Sequence, residues 1–187
     1  NPVTALIEQG YLARPTFRTV AAESGMKLST EDRRGLAASF DIPEALIARL
    51  ADNVQWNLQV VRTILDLSVR HRRILVFAAS VEHSRLITAI LSILGVDAEQ
   101  VTAESSARHR DRAINRFKGL GTRTMVLSNF GVLTTGFDAP GASAAVIARP
   151  TRSLVLYSQM VGRVIRGPRA GGTPTCEIVT VVDPLLP

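Results

Sequence analysis

The chain has 187 residues, 46% of them hydrophobic, and it carries a formal net charge of +6. This hydrophobic content excludes a disordered chain, and no window approaches the roughly 18 uninterrupted apolar residues of a membrane span, so no membrane partner is expected. The single cysteine, Cys176, excludes a disulfide framework and predicts a reducing, cytoplasmic location. The basic balance favours a polyanionic partner such as nucleic acid, although charge alone does not identify one.

The first part of the chain divides into a connector and a helical segment. Residues 1–15 contain the breakers Gly10 and Pro15 and are interpreted as a connector. Residues 43–72 have a helical pattern, with Pro43 suited to a first turn and Trp56 expected in the core. The polar stretch 21–41 is ambiguous. We therefore expect a connector over 1–15, a helical lead-in over 16–73 and a main domain over 74–187.

Short β-branched runs alternate with helical patterns from residue 74 to the end. Four runs are typical of strands buried on both faces, and a fifth is weaker. They are ILVF at 74–77, TMVLS at 124–128, AAVIA at 144–148, CEIVTVV at 176–182 and the weaker EQVTA at 99–103. Ser80 and either Ser105 or Ser106 are expected to cap two intervening helices that end at Gly95 and Gly119. The alternation predicts an α/β domain with a mostly parallel central sheet. The basic run HRR at 71–73 is interpreted as a solvated helix end.

The stretch YSQMVGRVIR at 157–166 combines apolar residues with two arginines and a glycine. On a helix over 153–166, one stripe holds Gln159, Gly162, Arg163 and Arg166 at the spacing i, i+3, i+4, i+7. A glycine on this stripe lets a ligand approach the backbone, and two guanidinium groups beside an amide suit a phosphate chain. On spacing alone, a plain solvated helix face is an equal alternative.

Three polar loops follow predicted strands and should meet at one edge of the sheet, where ligands bind in open α/β folds. They contain AASVEHS after residue 77, SNFGVLTTGFDAPG at 128–141 and RPTRS after residue 148. Thr134 and Thr135 can donate to phosphates, and Asp138 can accept from a sugar hydroxyl. The sequence TTGFDAPG is also good turn chemistry, so a structural turn is the alternative.

These motifs together resemble the C-terminal RecA-like domain of a superfamily 2 helicase of the DEAD/DEAH-box type. Residues 159–166 match motif VI, Q-x-x-G-R-x-x-R, and residues 133–140, LTTGFDAP, match motif V. Residues 74–80 resemble motif IV, residues 107–118 resemble the segment between motifs IV and V, and residues 5–15 resemble the connector that leaves the first motor domain. The resemblance is good over 74–187 and poor over 16–60. It implies a RecA-like three-layer fold.

The resemblance implies a role for each matching position. Arg163 and Arg166 resemble the pair that reaches the γ-phosphate of ATP, with Arg166 the better candidate for the arginine finger. Candidate nucleotide-binding positions are Gly136, Asp138, Gln159 and Gly162. Candidate nucleic-acid positions are Ser80, Thr134, Thr135 and Arg152.

The chain lacks the other half of such a motor. No G-x-x-x-x-G-K-[ST] sequence and no acidic tetrad for magnesium are present, so ATP with Mg²⁺ is expected to be bound mainly by a missing first motor domain in cis. The chain alone is expected to be inactive. No histidine and cysteine set suits a metal. We expect half of an ATP-dependent helicase acting on nucleic acid, DNA more readily than RNA. The alternatives are a double-strand DNA translocase subunit of a restriction or repair complex, and a non-catalytic nucleic-acid-binding module.

Arg110 differs from the other arginines of its predicted helix. It shares a face with Ala113, Ile114 and Phe117, whereas three arginines point toward solvent, namely Arg108, Arg112 and Arg116. A buried arginine must be paired, because an isolated buried charge is costly. We therefore expect Arg110 to be the most buried of the four, and to hold the motif V loop without touching a phosphate.

Overall fold

The computed structural model describes residues 2–119, 121–132 and 141–186. The helices are α1 (Pro2–Glu8), α2 (Thr30–Ala38), α3 (Glu44–Ala51), α4 (Val54–Ser68), α5 (Val81–Ile93), α6 (Ala107–Lys118) and α7 (Leu154–Gly162). The strands are β1 (Arg14–Ala21), β2 (Arg73–Phe77), β3 (Asp97–Thr102), β4 (Met125–Phe130), β5 (Ala144–Ile147) and β6 (Thr175–Val182). None of the described helices is both long and apolar enough to cross a membrane.

The strands of the described residues form one parallel sheet in the order β1-β6-β5-β2-β4-β3. Strands β2 and β5 lie at its centre and are buried along their whole length, as their uninterrupted apolar sequences predict. Helices cover both faces of this sheet. The predicted α/β RecA-like fold with a parallel sheet is therefore confirmed.

Two hydrophobic cores lie on the two faces of the sheet. One joins the sheet to α3, α4 and α5, and its largest member is Trp56, whose side chain is fully buried as predicted. The other joins the sheet to α6 and α7 through Phe117 and Met160. Because β2 leads into α5 on one face and β5 leads into α7 on the other, the carboxyl ends of these neighbouring strands flank a topological switch point, where α/β folds bind ligands.

The predicted helix caps are present. Ser80 Oγ accepts from the His83 amide at the start of α5, and Ser106 does the same for His109 at the start of α6. Gly95 has a φ of 79° just after α5, a left-handed conformation that favours glycine. Local chemistry therefore fixes where both helices begin, through a serine side chain, and where α5 ends, through the backbone of a glycine.

The lead-in over 16–73 differs from its helical interpretation. Residues Arg14–Ala21 form β1, which pairs with β6 from Arg14↔Thr175 to Ala21↔Val182. This strand lies at the edge of the sheet and is largely exposed, so its sequence lacks the apolar run of a central strand. The predicted helix over 43–72 is two helices, because Asn53 caps α4 by accepting from the Trp56 amide. Pro43 precedes α3 as its N-cap and does not lie in its first turn.

Candidate nucleotide and nucleic-acid interface

A cleft of about 210 Å³ lies at the carboxyl ends of β2, β4 and β5. Its lining includes Ala78 after β2, Phe130 of β4, Arg149 after β5 and Met160 of α7. The Arg149 guanidinium carbon is 5.1 Å from the centroid of the Phe130 ring. The loops that follow β2 and β5 therefore meet at one edge, as predicted. The motif V candidates Thr134, Thr135, Gly136 and Asp138 lie outside the described residues.

Ser80 lies at this edge, half-buried, at the start of α5. Its hydroxyl oxygen accepts from the His83 amide at 3.0 Å, which leaves its proton free to donate to a ligand. His83 supports the loop from inside, because its Nδ1 accepts from the Ala79 amide at 3.0 Å. Burial lowers the pKa of His83 to about 4, so the imidazole is neutral near pH 7. Contact between Ser80 and nucleic acid stays a prediction.

Arg152 lies in the loop that joins β5 to α7, and this loop is tied to the lead-in helices. The Arg152 amide donates to Asp41 Oδ1 at 2.6 Å, and Thr151 Oγ1 donates to Asp41 Oδ2 at 2.7 Å. The Arg152 guanidinium donates to the main-chain oxygen of Leu36 at 2.7 Å. We call Asp41, Thr151 and Arg152 the Asp41 latch. The position of Arg152 is therefore set partly by α2 and by the linker to α3.

The Asp41 carboxylate is held in its charged form. Burial alone would raise its pKa, but hydrogen bonds from the Arg152 amide, the Thr151 hydroxyl and the Ile42 amide outweigh this and lower the pKa. Nearby, Arg149 Nη2 forms an ion pair with Glu44 Oε1 at 2.7 Å. The Glu44 side chain is 73% exposed, so this ion pair contributes little stability. The hydrogen bonds of Asp41 are therefore the main connection between this loop and the lead-in helices.

Helix α7 ends at Gly162, so the predicted helix over 153–166 is too long. The Arg163 and Val164 amides donate three residues back, to Met160 and Val161, which tightens the last turn. Arg166 then forms an isolated antiparallel bridge with Leu12. The physical reason is a low helix propensity at Gly162, followed by the competing pairing of the chain with its N-terminal segment.

The four motif VI residues lie at and just after the end of α7, with Gln159 and Gly162 in its last turn and Arg163 and Arg166 beyond it. Gln159 and Gly162 are exposed, and Arg163 and Arg166 are half-buried. A Cβ atom added to Gly162 would meet none of the described residues within 4 Å, so their packing does not require glycine here, and they leave space beside its backbone. These features suit a phosphate chain, and the assigned roles of the four residues stay predictions.

Arg110 is the most buried of the four arginines on α6, as predicted, because it is half-buried and the other three are exposed. Its Nη2 donates to the main-chain oxygen of Ser105 at a long 3.4 Å. Its Nε is buried and has no hydrogen-bond partner among the described residues. The expected backbone-carbonyl partner is present, but Ser105 lies just before Ser106, the N-cap of the same helix, and the role of Arg110 toward the motif V loop stays a prediction.

Sequence reasoning missed the Asp41 latch. Asp41 precedes Ile42 and Pro43, a pattern typical of a turn, and this local signal could have marked it as a capping residue. Its partners lie about 110 positions later in the chain, and no local pattern points to them. The fold alone brings the two segments together.

The parallel sheet covered by helices on both faces, with motif VI at the end of α7, defines a RecA-like domain. Residues 56–168 match the family described as "Helicase conserved C-terminal domain". Because this match covers more than half of the chain, the chain belongs to that family.

Individual proteins and structures agree with this assignment. The "Putative ATP-dependent helicase IRC3" of Saccharomyces cerevisiae is 26% identical over 166 residues, which are 88% of this chain and 23% of that protein. The chain thus spans about a quarter of that relative's length.

Two solved structures share the fold. The ATP-dependent Type ISP restriction-modification enzyme LlaBIII bound to DNA has a TM-score of 0.64 and 16% identity, covering 96% of this chain and 13% of that one. The C-terminal domain of the DEAD-box protein Dbp5 has a TM-score of 0.53 and 19% identity, covering 67% of this chain and 71% of that one.

Proposed function

We propose that this chain is the C-terminal half of an ATP-dependent nucleic-acid helicase or translocase. ATP hydrolysis would take place between it and a first RecA-like motor domain in the same protein, and the chain would be inactive alone. The observation that carries the proposal is the ordered pair of motifs V and VI in a chain of the helicase C-terminal family. Arg163 and Arg166 follow Gly162, beside which the described part of the chain leaves space. Residues 1–15 would form the connector from the first motor domain.

In this proposal Arg166 supplies an arginine finger. A guanidinium group aimed at the γ-phosphate stabilises negative charge as the phosphoryl group is transferred. Arg163 would bind the same phosphate chain, and Gln159 and Gly162 would let ATP approach the end of α7. Mg²⁺ would neutralise phosphate charge and would be held mainly by the first motor domain, since this chain has no G-x-x-x-x-G-K-[ST] sequence.

Nucleic acid would bind along the carboxyl edge of the sheet. Ser80 at the start of α5 and Arg152 in the Asp41 latch supply a hydroxyl and a cation near that edge, and Thr134 and Thr135 of motif V would extend the track. The net charge of +6 favours contacts to the phosphate backbone. We therefore expect weak binding with little sequence preference, with DNA bound more readily than RNA.

The test compares ATP turnover by the chain alone with turnover by a protein that joins it to a first motor domain, each with and without DNA or RNA. We expect no turnover by the chain alone and stimulated turnover by the joined protein. Binding of labelled strands to the chain should weaken by about tenfold or more between 50 and 200 mM salt. Salt-independent binding would argue against contacts to the phosphate backbone. A joined protein that binds strands but never hydrolyses ATP would favour the non-catalytic binding module.

A further inference from the structure

The segment Gly10–Ala13 pairs with the residues on both sides of Arg166. The Ala13 amide donates to the Ile165 oxygen at 2.9 Å, and the Gly167 amide donates to the Tyr11 oxygen at 3.0 Å. These hydrogen bonds flank the antiparallel bridge between Leu12 and Arg166. The Arg169 amide continues the pairing with the Gly10 oxygen at 2.9 Å. The main chain just before and just after Arg166 is therefore fixed by the N-terminal segment.

Close contact makes this pairing depend on Gly167. A Cβ atom added there would overlap the carbonyl oxygen of Gly10 and would lie 2.8 Å from the carbonyl carbon of Leu12. These are main-chain atoms and cannot move aside without moving the segment. Gly10 itself has a φ of 75°, which turns the chain after α1 into the pairing. A side chain at position 167 would therefore separate the two segments.

The opposite side of Arg166 is held as well. Its main-chain oxygen accepts from the Thr173 amide at 3.0 Å. A Cβ atom at Gly172 would overlap that same oxygen, so the chain after the 168–170 turn also packs tightly against Arg166. The Arg166 main chain is thus enclosed between two segments.

An aromatic contact strengthens the pairing at one end. The Arg169 guanidinium carbon lies 4.7 Å from the centroid of the Tyr11 ring, a cation–π contact. Tyr11 is 42% exposed, so changing its side chain leaves both hydrophobic cores intact.

We propose that the segment Gly10–Ala13 is the positioning element for Arg166. Helix α7 ends four residues before Arg166, so the helix cannot set the direction of this side chain. The pairing with Gly10–Ala13 takes over this role of the helix, because it fixes the backbone from which the Arg166 guanidinium extends. The inference rests on the proposed function, in which Arg166 acts on ATP. Because residues 1–15 would be the connector from the first motor domain, a shift of that domain would be transmitted directly to Arg166.

The test measures kcat and KM for ATP in a protein that joins this chain to a first motor domain. The variants are Arg166→Ala, Gly167→Ala and their combination, with Gly35→Ala as the control. An added Cβ at Gly35 makes only an ordinary contact of 3.5 Å with Pro43, so this variant should behave as wild type. We expect Gly167→Ala to lower kcat about tenfold or more with little change in KM, because a small misplacement of a catalytic group is costly. The double variant should be no slower than Arg166→Ala, since a finger already removed cannot be misplaced.

Tyr11 provides a milder pair of variants in case Gly167→Ala fails to fold. Tyr11→Ala should lower kcat by about threefold or more, in the direction of Gly167→Ala. Tyr11→Phe keeps the ring and should retain wild-type kcat. Normal turnover in the folded Gly167→Ala and Tyr11→Ala variants, or losses that multiply with that of Arg166→Ala, would overturn the positioning role. Normal turnover in Arg166→Ala would remove the finger role of Arg166, and the inference with it, whereas no turnover by the wild-type joined protein would overturn the proposed function.

Discussion

Arg73 Nε, in the first residue of β2, donates a hydrogen bond of 2.7 Å to the main-chain oxygen of Phe117, near the end of α6. The other guanidinium nitrogens donate to the main-chain oxygens of Arg72, Gly119, Gly121 and Arg123. Arg73 is only 7% exposed, so our interpretation of residues 71–73 as a solvated helix end is wrong for this residue. A buried cation at the carboxyl end of a helix is favoured by the helix dipole.

We expect Arg73→Met to lower the free energy of unfolding by about 2–4 kcal/mol. The methionine fills part of the space, but it leaves the buried Phe117 carbonyl and four partly buried carbonyl groups without this donor. The neighbouring Arg72 is exposed, and Arg72→Ala should stay within about 0.5 kcal/mol of wild type. Denaturant unfolding of both variants checks this, and similar losses for the two would contradict the assignment.

His83 makes folding stability depend on pH. Its pKa is lowered by burial from 6.5 to about 4, so the unfolded chain takes up the proton first as the pH falls. The contribution of His83 is complete above pH 6.5 and is lost progressively as the pH falls toward about 4, by about 1.4 kcal/mol per pH unit.

The variant His83→Asn keeps an acceptor but cannot titrate. Its unfolding free energy should therefore fall less steeply than that of wild type between pH 6.5 and 4, the window set by the lowered pKa. Denaturant unfolding across this range measures the difference. Parallel profiles for wild type and variant would show that His83 is not buried as a neutral group.

The Asp41 latch should stabilise the loop that leads into α7. Asp41→Ala removes the acceptor of the Arg152 amide and the Thr151 hydroxyl, and should cost about 1–3 kcal/mol. Thr151→Val removes one of these donors and should cost less. In the double variant the losses should be less than additive, because both changes break the same hydrogen bond. Strict additivity in unfolding measurements would argue against the latch.

Arg110 and Arg112 should differ in their effect on stability. Arg110 is half-buried and has a long hydrogen bond to Ser105. Because a long hydrogen bond is weak, Arg110→Ala should lower the free energy of unfolding by only about 1 kcal/mol. Arg112 is exposed, and Arg112→Ala should stay within about 0.5 kcal/mol. Equal unfolding free energies for the two variants would show that Arg110 contributes no more to stability than the exposed Arg112.

The sequence predicts those parts of the fold that local chemistry controls. The strands β2, β4, β5 and β6 follow from apolar runs, and the ends of α5 follow from Ser80 and Gly95. The edge strand β1 has no such run, because most of its residues are exposed. The early end of α7 depends on pairing with Leu12, more than 150 positions earlier in the chain.

In the candidate site, too, some features follow from local sequence and others only from long-range packing. The carboxyl edge where the loops meet follows from the strand pattern. The contacts of Asp41 hold one of those loops, and the contacts of Arg73 lie at the amino edge of the sheet, between α6 and β4. Both sets join residues that are far apart in the sequence, and a helical wheel or motif cannot reveal them. Long-range packing decides these positions.

The catalytic role of Arg166 is tested most directly by the rate of ATP hydrolysis of Arg166→Ala, in a protein that joins this chain to a first motor domain, at saturating nucleic acid. We expect a loss of about two orders of magnitude or more, with folding and strand binding retained, because the finger stabilises the transferring phosphoryl group. Arg163→Ala should also be severe, and the exposed control Arg112→Ala should hydrolyse ATP normally. Near-normal turnover by Arg166→Ala would contradict the assignment of the finger.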